Sequence, residues 1–179
     1  MQAIARLILA GILDRIPNLQ LLIAHSAGAL PALSSRLSSC VAHDPHVKDR
    51  LQNDFRYYLG KLYFDSVCYG PEELAFTERV IARADLYEGD EDSVPFVERV
   101  RERQDLRAPP NNFAGTERIM FGTDHPFFPP LNGKDVTEPQ RWKSVDENLE
   151  AIAGAAGWSQ EERERVMGTN AVALFGLDI

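Results

Sequence analysis

The sequence lacks the features that mark membrane and secreted proteins. No apolar run reaches the roughly 18 residues that a membrane span needs. The apolar run 7–13 continues into Asp14 without a small-residue cleavage site, so we interpret it as part of a mature helix and not as a signal peptide. There are 2 cysteines, Cys40 and Cys68, which excludes a disulfide framework. These absences predict a cytoplasmic protein that does not span a membrane.

Basic side chains are also scarce. The chain has 19 Lys and Arg residues against 27 Asp and Glu residues, a formal net charge of −8. Nucleic-acid phosphates would repel such a surface, so we expect no nucleic-acid partner. With 179 residues and 44% hydrophobic content, the chain can bury one core. We therefore expect a single domain over residues 1–179, with residues 85–112, acidic and then rich in Arg and Glu, as a surface insertion.

Apolar runs alternate with helical patterns along the chain. Three short apolar runs, at 19–24, 61–67 and 118–123, have the length and composition of buried parallel strands. Helices are predicted between and after them, at 4–16, 30–41, from Gly70-Pro71 onward, from the capping box Ser144-x-x-Glu147 to about 156, and from the capping box Ser159-x-x-Glu162 to about 175. The order α-β-α-β-α-β-α-α indicates an α/β fold with a parallel sheet.

Polar side chains follow each predicted strand. His25 follows the first, Asp65, Ser66 and Tyr69 the second, and Asp124 the third. The carboxyl ends of parallel strands meet at one rim, so His25 and Asp124 form the minimum for acid–base chemistry with a metal or a charge partner. In the alternative interpretation, the histidine is a satisfied buried group and the aspartate caps a turn. The pattern His43-x-x-His46 lies in a polar stretch that favours a solvated loop over a metal site.

Four segments resemble those of a known family. The run Ala24-His25-Ser26-Ala27-Gly28-Ala29-Leu30-Pro31 resembles the AHxGGxxP segment of amidohydrolase-related decarboxylases, and Phe121-Gly-Thr-Asp124-His-Pro-Phe127 resembles their GTD-[YH]-PF segment. The lead-in 12–19 and the ending 168–177 match as well. The sequence is thus similar to the family of aminocarboxymuconate-semialdehyde decarboxylase, whose relatives act on isoorotate and on salicylate-type acids.

This resemblance implies a (β/α)8 TIM barrel, of which the matched segments are strands six to eight. The family's His-x-His after the first strand and its histidine after the fifth are absent here. We therefore expect the carboxyl-terminal part of an incomplete barrel, with about three parallel strands and flanking helices. Such a piece would be inactive alone unless it dimerised or recruited the missing part.

The resemblance also implies roles for individual residues. Asp124 would be the carboxylate ligand of a divalent metal, usually zinc, with the remaining ligands missing from this chain. His25 would be the acid–base residue beside it. Arg36 would hold a substrate carboxylate in a neighbouring subunit, as expected for a homodimer of the full-length family, and Phe127 would form a wall against the substrate ring.

The implied activity is metal-dependent, non-oxidative decarboxylation of a small unsaturated or aromatic carboxylic acid. Two alternatives stay open at this point. A metal-bound water in the same site can attack a carbonyl, which would make the protein a hydrolase of a lactone or amide. Alternatively, the chain is a non-catalytic piece that associates with full-length subunits.

Overall fold

The computed structural model of the chain describes residues 2–89, 115–133 and 139–178. Their strands form one parallel sheet in the order β1 (Leu22–Ile23), β2 (Tyr63–Asp65) and β3 (Ile119–Met120). Leu22 pairs with Tyr63, and Phe64 pairs with Ile119. The predicted three parallel strands are confirmed, although each is shorter than its apolar run because only two or three residues of the run are paired.

Helices flank this sheet: α1 (Gln2–Leu9), α2 (Ile12–Arg15), α3 (Leu30–Ala42), α4 (Pro45–Lys48), α5 (Pro71–Ala82), α6 (Lys143–Gly154), α7 (Gln160–Glu164) and α8 (Asn170–Phe175). A π-helical turn, Arg165–Thr169, joins α7 to α8. Single 3-10 turns precede β2 (Tyr57–Lys61) and β3 (Gly115–Arg118), and another follows α5 (Ala84–Tyr87). None of the helices in the described ranges has the length and apolar character that crossing a membrane demands.

The first predicted helix is wrong as a single element. It breaks between α1 and α2 at Gly11, which adopts a left-handed φ of 66°. A β-carbon there would lie 2.6 Å from the backbone oxygen of Arg50, so the chain needs glycine on both counts. Apolar periodicity continued through the break because both short helices bury residues against the same core, Ile8 from α1 and Leu13 from α2.

The two predicted capping boxes have different outcomes. Ser159 and Glu162 form a reciprocal box at the start of α7, with the Ser159 amide donating to Glu162 Oε2 over 2.7 Å. Ser144 does not cap α6, because that helix begins one residue earlier, after Trp142. Ser144 is instead buried in the first turn, and its hydroxyl has no hydrogen-bond partner among the described residues.

The core lies between the sheet and its helices. Phe64 of β2 is fully buried, with its strand neighbours Ile23 and Ile119 also buried. The outer edge of β3 is covered by the chain that follows α7: the Phe121 amide donates to the Val166 carbonyl over 2.8 Å, and Asn170 Nδ2 donates to the Ile119 carbonyl over 2.7 Å. Within the described ranges, no further strand pairs with β1.

The predicted insertion, 85–112, lies mostly outside the described residues. Its first residues belong to the 3-10 turn Ala84–Tyr87, in which Leu86 is buried. Residues 90–112 are not among the described ones, so the insertion stays a prediction.

Candidate active site at the strand ends

His25 and Asp124 meet where β1 and β3 end. His25 Nε2 lies 3.8 Å from Asp124 Oδ1, and the side chains are 56% and 20% exposed, respectively. We call the edge formed by residues 25–28, 66–70 and 121–128 the strand-end rim. An imidazole that is this accessible can exchange a proton with a bound molecule, while the less exposed carboxylate orients or charge-stabilises it.

The chain turns left-handed directly after β1. His25, Ser26, Ala27 and Gly28 have φ values of 58°, 47°, 60° and 58°. Every non-glycine residue with positive φ in the described part of the chain belongs to this rim, the other two being Tyr69 and Asp124. Left-handed backbone costs about 1–2 kcal/mol per L-residue, so this clustering places backbone strain at the candidate site.

Asp65 holds the strained turn in place. Its Oδ1 accepts hydrogen bonds from the Ser26 and Val67 amides, both over 3.0 Å, and its backbone oxygen accepts from Ser26 Oγ over 2.8 Å. The next residue, Ser66, is buried and accepts from the Gly122 amide over 3.2 Å. Both strand-end residues therefore support the site structurally.

Tyr69 reaches the Asp124 carboxylate from the loop after β2. Its hydroxyl donates to Asp124 Oδ2 over 2.7 Å. Desolvation together with this carboxylate raises the pKa of Tyr69 to about 12, so the phenol remains a hydrogen-bond donor at neutral pH. Burial likewise raises the pKa of the neighbouring Cys68 thiol, which argues against an activated thiolate nucleophile.

Aromatic rings extend along the rim beside this pair. Phe127 is 76% exposed and packs edge-on against Phe128, with ring centroids 5.1 Å apart. Phe128 in turn contacts the Tyr69 ring at 6.5 Å. His125 packs edge-on against Trp142, with ring centroids 4.2 Å apart. Phe127, predicted as a wall against the substrate ring, therefore lies beside a second, less exposed phenylalanine, and its role stays a prediction.

Arg36 does not join this group. It is exposed on α3 and makes no hydrogen bond or ion pair with any residue in the described ranges. Its predicted place in a neighbouring subunit's site stays a prediction.

The residues at the rim do not complete a metal site. Asp124 and His25 are donor types that divalent metals use, but a catalytic zinc takes three protein ligands. No three His, Cys, Asp or Glu side chains within 2–89, 115–133 and 139–178 are grouped so that they could hold a metal ion. His43 lies apart, with Nδ1 2.7 Å from the Ser39 backbone oxygen.

The sequence does not predict the contacts of two residues that support the candidate site, Tyr69 and Asn148. Tyr69 was expected near a strand end, but nothing in the sequence pairs it with Asp124, which lies 55 residues further along. Asn148 carries no motif at all, yet its side chain is fully buried and binds the backbone of the loop before Tyr69. Polar residues on a buried helix face are the signal that could have drawn attention to it.

A parallel sheet with flanking helices and acid–base side chains beyond the strand carboxyl ends is the arrangement of α/β barrel and doubly wound enzymes. The amidohydrolase family model matches residues 1–177, and the chain belongs to this family.

Several relatives share this similarity. The chain is 24% identical over 177 residues to 2-amino-3-carboxymuconate-6-semialdehyde decarboxylase of Dictyostelium discoideum, covering 98% of this chain and 36% of that protein. It matches the crystal structure of apo IDCase from Metarhizium anisopliae with a TM-score of 0.66 and 30% identity, covering 97% of this chain and 38% of the other. It also matches the fold of 5-carboxyvanillate decarboxylase from Novosphingobium aromaticivorans, complexed with manganese and 4-hydroxy-3-methoxy-5-nitrobenzoic acid (TM-score 0.54, 20% identity, 97% and 38% coverage).

The chain therefore spans little more than a third of the length of these relatives. The three parallel strands found among the described residues are also about three-eighths of an eight-stranded barrel. The predicted fold, a part of a TIM barrel of the amidohydrolase type, is confirmed.

Proposed function

We propose that this chain forms the carboxyl-terminal part of the active site of a divalent-metal-dependent, non-oxidative decarboxylase that acts on a small unsaturated or aromatic carboxylic acid. The observation that carries the proposal is the meeting of His25 and Asp124 at the rim, 3.8 Å apart. The similarity to decarboxylases supports the reaction type.

The chain's own residues would serve this reaction as follows. Decarboxylation breaks the bond between the carboxylate carbon and its neighbour, releases CO2 and leaves the electron pair on that neighbouring carbon. His25, protonated, donates the proton that forms the new C–H bond, and solvent then reprotonates its exposed ring. Asp124 stabilises the imidazolium, and Phe127 with Phe128 provides an apolar face for the substrate.

A divalent metal would polarise substrate oxygens and stabilise developing negative charge. Asp124 is the residue of this chain that would bind it, with His25 alongside, and other donors must come from outside the described residues. The manganese complex of the 5-carboxyvanillate decarboxylase supports a divalent ion, and zinc stays a prediction from the sequence. The cytoplasmic location, the homodimer and the place of Arg36 in a neighbouring subunit's site also stay predictions.

The test begins with sequencing of the 5′ end of the transcript, which shows whether coding sequence continues upstream of Met1. The protein it encodes is then assayed for CO2 release from 5-carboxyvanillate and from 2-amino-3-carboxymuconate 6-semialdehyde, with Mn2+ or Zn2+ added. We expect CO2 release that falls at least about a hundred-fold in His25→Gln and Asp124→Asn, because general acid–base groups contribute about that much. Ser35→Ala on α3 is the control and should retain full rate.

Two results would contradict the proposal: CO2 release that survives both substitutions, or cleavage of lactones and amides with no CO2 release, which would favour the hydrolase alternative. Hydrolysis consumes water and releases no CO2, so measuring CO2 distinguishes it from decarboxylation.

A second candidate is favoured by the shortage of metal donors in the part of the chain that the structure describes. The chain would then act by associating with longer subunits, with no catalysis of its own. Titration of the chain with Mn2+ or Zn2+ tests this candidate, because one tight site per chain would exclude it. A chain without a tight site is expected under both candidates, and the CO2 assay then separates them, since association alone predicts CO2 release that survives His25→Gln and Asp124→Asn.

A further inference from the structure

The two oxygens of the Asp124 carboxylate have different partners. Oδ2 accepts the Tyr69 hydroxyl hydrogen bond over 2.7 Å, and Oδ1 faces His25 Nε2 at 3.8 Å. A carboxylate with one oxygen held by a donor loses most of its freedom to rotate. The hydroxyl of Tyr69 therefore fixes the orientation in which the carboxylate presents its other oxygen to His25.

Tyr69 is itself fixed by a buried side chain. Asn148 of α6 is fully buried, and its Oδ1 accepts hydrogen bonds from the Cys68 and Tyr69 amides over 3.3 and 3.4 Å. Its Nδ2 donates to the Ser144 carbonyl over 2.7 Å, which holds the amide in one orientation. A buried, satisfied amide of this kind is costly to disturb, so the loop before Tyr69 is anchored to the core.

The backbone at Tyr69 is not relaxed. Its φ of 63° lies in the left-handed region, which a residue with an aromatic side chain rarely adopts. The residue is 39% exposed, so burial of apolar surface does not account for this conformation. Strain of this kind persists where surrounding contacts impose it, and here they aim the hydroxyl at Asp124.

We infer that Tyr69 is a positioning residue, anchored by Asn148, that holds the Asp124 carboxylate so that Oδ1 faces His25. The inference rests on the proposed function only in that Asp124 and His25 belong to the active site. Tyr69 itself acts through Asp124 and need not touch the substrate.

Carbon-13 NMR of the chain, labelled at aspartate carboxyl carbons and histidine rings, tests the contact without any activity or metal. The Asp124 and His25 signals are identified by their loss in Asp124→Asn and His25→Gln. We expect Tyr69→Phe to shift both signals, because it removes the hydroxyl and keeps the ring against Phe128. The matched control is Tyr63→Phe, at the opposite end of β2, where the ring packs under Arg118.

Unchanged Asp124 and His25 signals in Tyr69→Phe would overturn the inference, as would equal shifts in Tyr63→Phe, which would indicate a general change in the fold. In the decarboxylase assay, Tyr69→Phe should lower kcat roughly ten-fold with little change in KM, since a hydrogen bond to a charged acceptor is lost. If Tyr69→Phe and the unmodified protein have the same kcat, the inference is also overturned. Absence of all decarboxylation would count against the proposed function alone, because the NMR result does not depend on it.

Discussion

Two neighbouring residues of β2 have opposite surroundings. Phe64 is fully buried and flanked by Ile23 and Ile119, in a core of relaxed backbone and apolar contacts. Asp65, the next residue, belongs to the support of the strand-end rim, where the backbone is left-handed and side chains are polar. The comparison teaches that the core is held by buried apolar contacts, while the rim holds the candidate site residues in backbone conformations that L-amino acids rarely adopt.

The largest effect should come from the buried member of this pair. Phe64→Ala removes a fully buried ring and leaves a cavity, so we expect the free energy of unfolding to fall by about 4 kcal/mol. Urea denaturation followed by circular dichroism measures it. The control is Phe127→Ala on the rim, which is 76% exposed and should cost less than about 0.5 kcal/mol. Similar losses for both would break the distinction between core and rim.

The support of the rim should have an intermediate effect. Asp65→Ala leaves the Ser26 and Val67 amides without their acceptor, and we expect a loss of about 2 kcal/mol in the same unfolding measurement. Asp65→Asn keeps a carbonyl oxygen that can accept the same bonds, so it should lose clearly less. If Asp65→Ala unfolds at the urea concentration of the unmodified chain, the carboxylate does not hold the turn.

The two serine motifs sharpen the comparison further. Ser159→Ala removes a helix cap distant from the rim and should cost about 1 kcal/mol. Ser144→Ala, in α6 near the rim, removes a buried hydroxyl without a partner among the described residues and should stabilise the chain by up to about 0.5 kcal/mol. Thermal unfolding of both variants checks the opposite signs. Equal losses would mean that Ser144 caps its helix in solution.

The smallest effect is a stabilisation that is present at neutral pH and lost in acid, and it concerns the body of the molecule. Burial raises the pKa of Asp54, but hydrogen bonds from Arg56 and Ser38 outweigh it and leave the pKa below its usual value. Arg56 forms a two-point contact, with N–O distances of 2.8 and 2.9 Å. A lowered folded pKa stabilises the chain above about pH 4, and this stability is lost as the pH falls through the folded value.

Asp54→Asn should therefore unfold more easily at pH 7, and its stability should depend less on pH in the acid range. Urea midpoints measured from pH 7 downward give the comparison. Parallel acid profiles for Asp54→Asn and the unmodified chain would contradict the assigned shift.

The sequence predicted the parallel sheet and the meeting of two strand ends because both follow from patterns in short segments. Buried strands repeat apolar residues, and parallel strands end at the same edge, which is enough to bring His25 and Asp124 together. The sequence-based predictions were wrong at Gly11 and at Ser144, where the local sequence is compatible with two structures. Which one forms depends on tertiary contacts, the Arg50 carbonyl in one case and burial of Ser144 in the other.

The supporting contacts of the site lie beyond local patterns. Asn148 and Tyr69 are separated by 79 residues, and Asp65 and Ser26 by 39. A hydrogen bond over such a separation depends on how helices and loops pack, which residue spacing does not determine. The candidate site residues His25 and Asp124 were thus accessible from the sequence, whereas the contacts around them were not.

The turn of His25, Ser26, Ala27 and Gly28 also has a stereochemical consequence. Its φ values are those that a chain of mirror-image amino acids would adopt without strain. D-alanine placed at residue 27 by chemical ligation should fit this backbone better than the natural L-residue. A short segment made of L-amino acids and glycine therefore has a backbone conformation that favours D-amino acids.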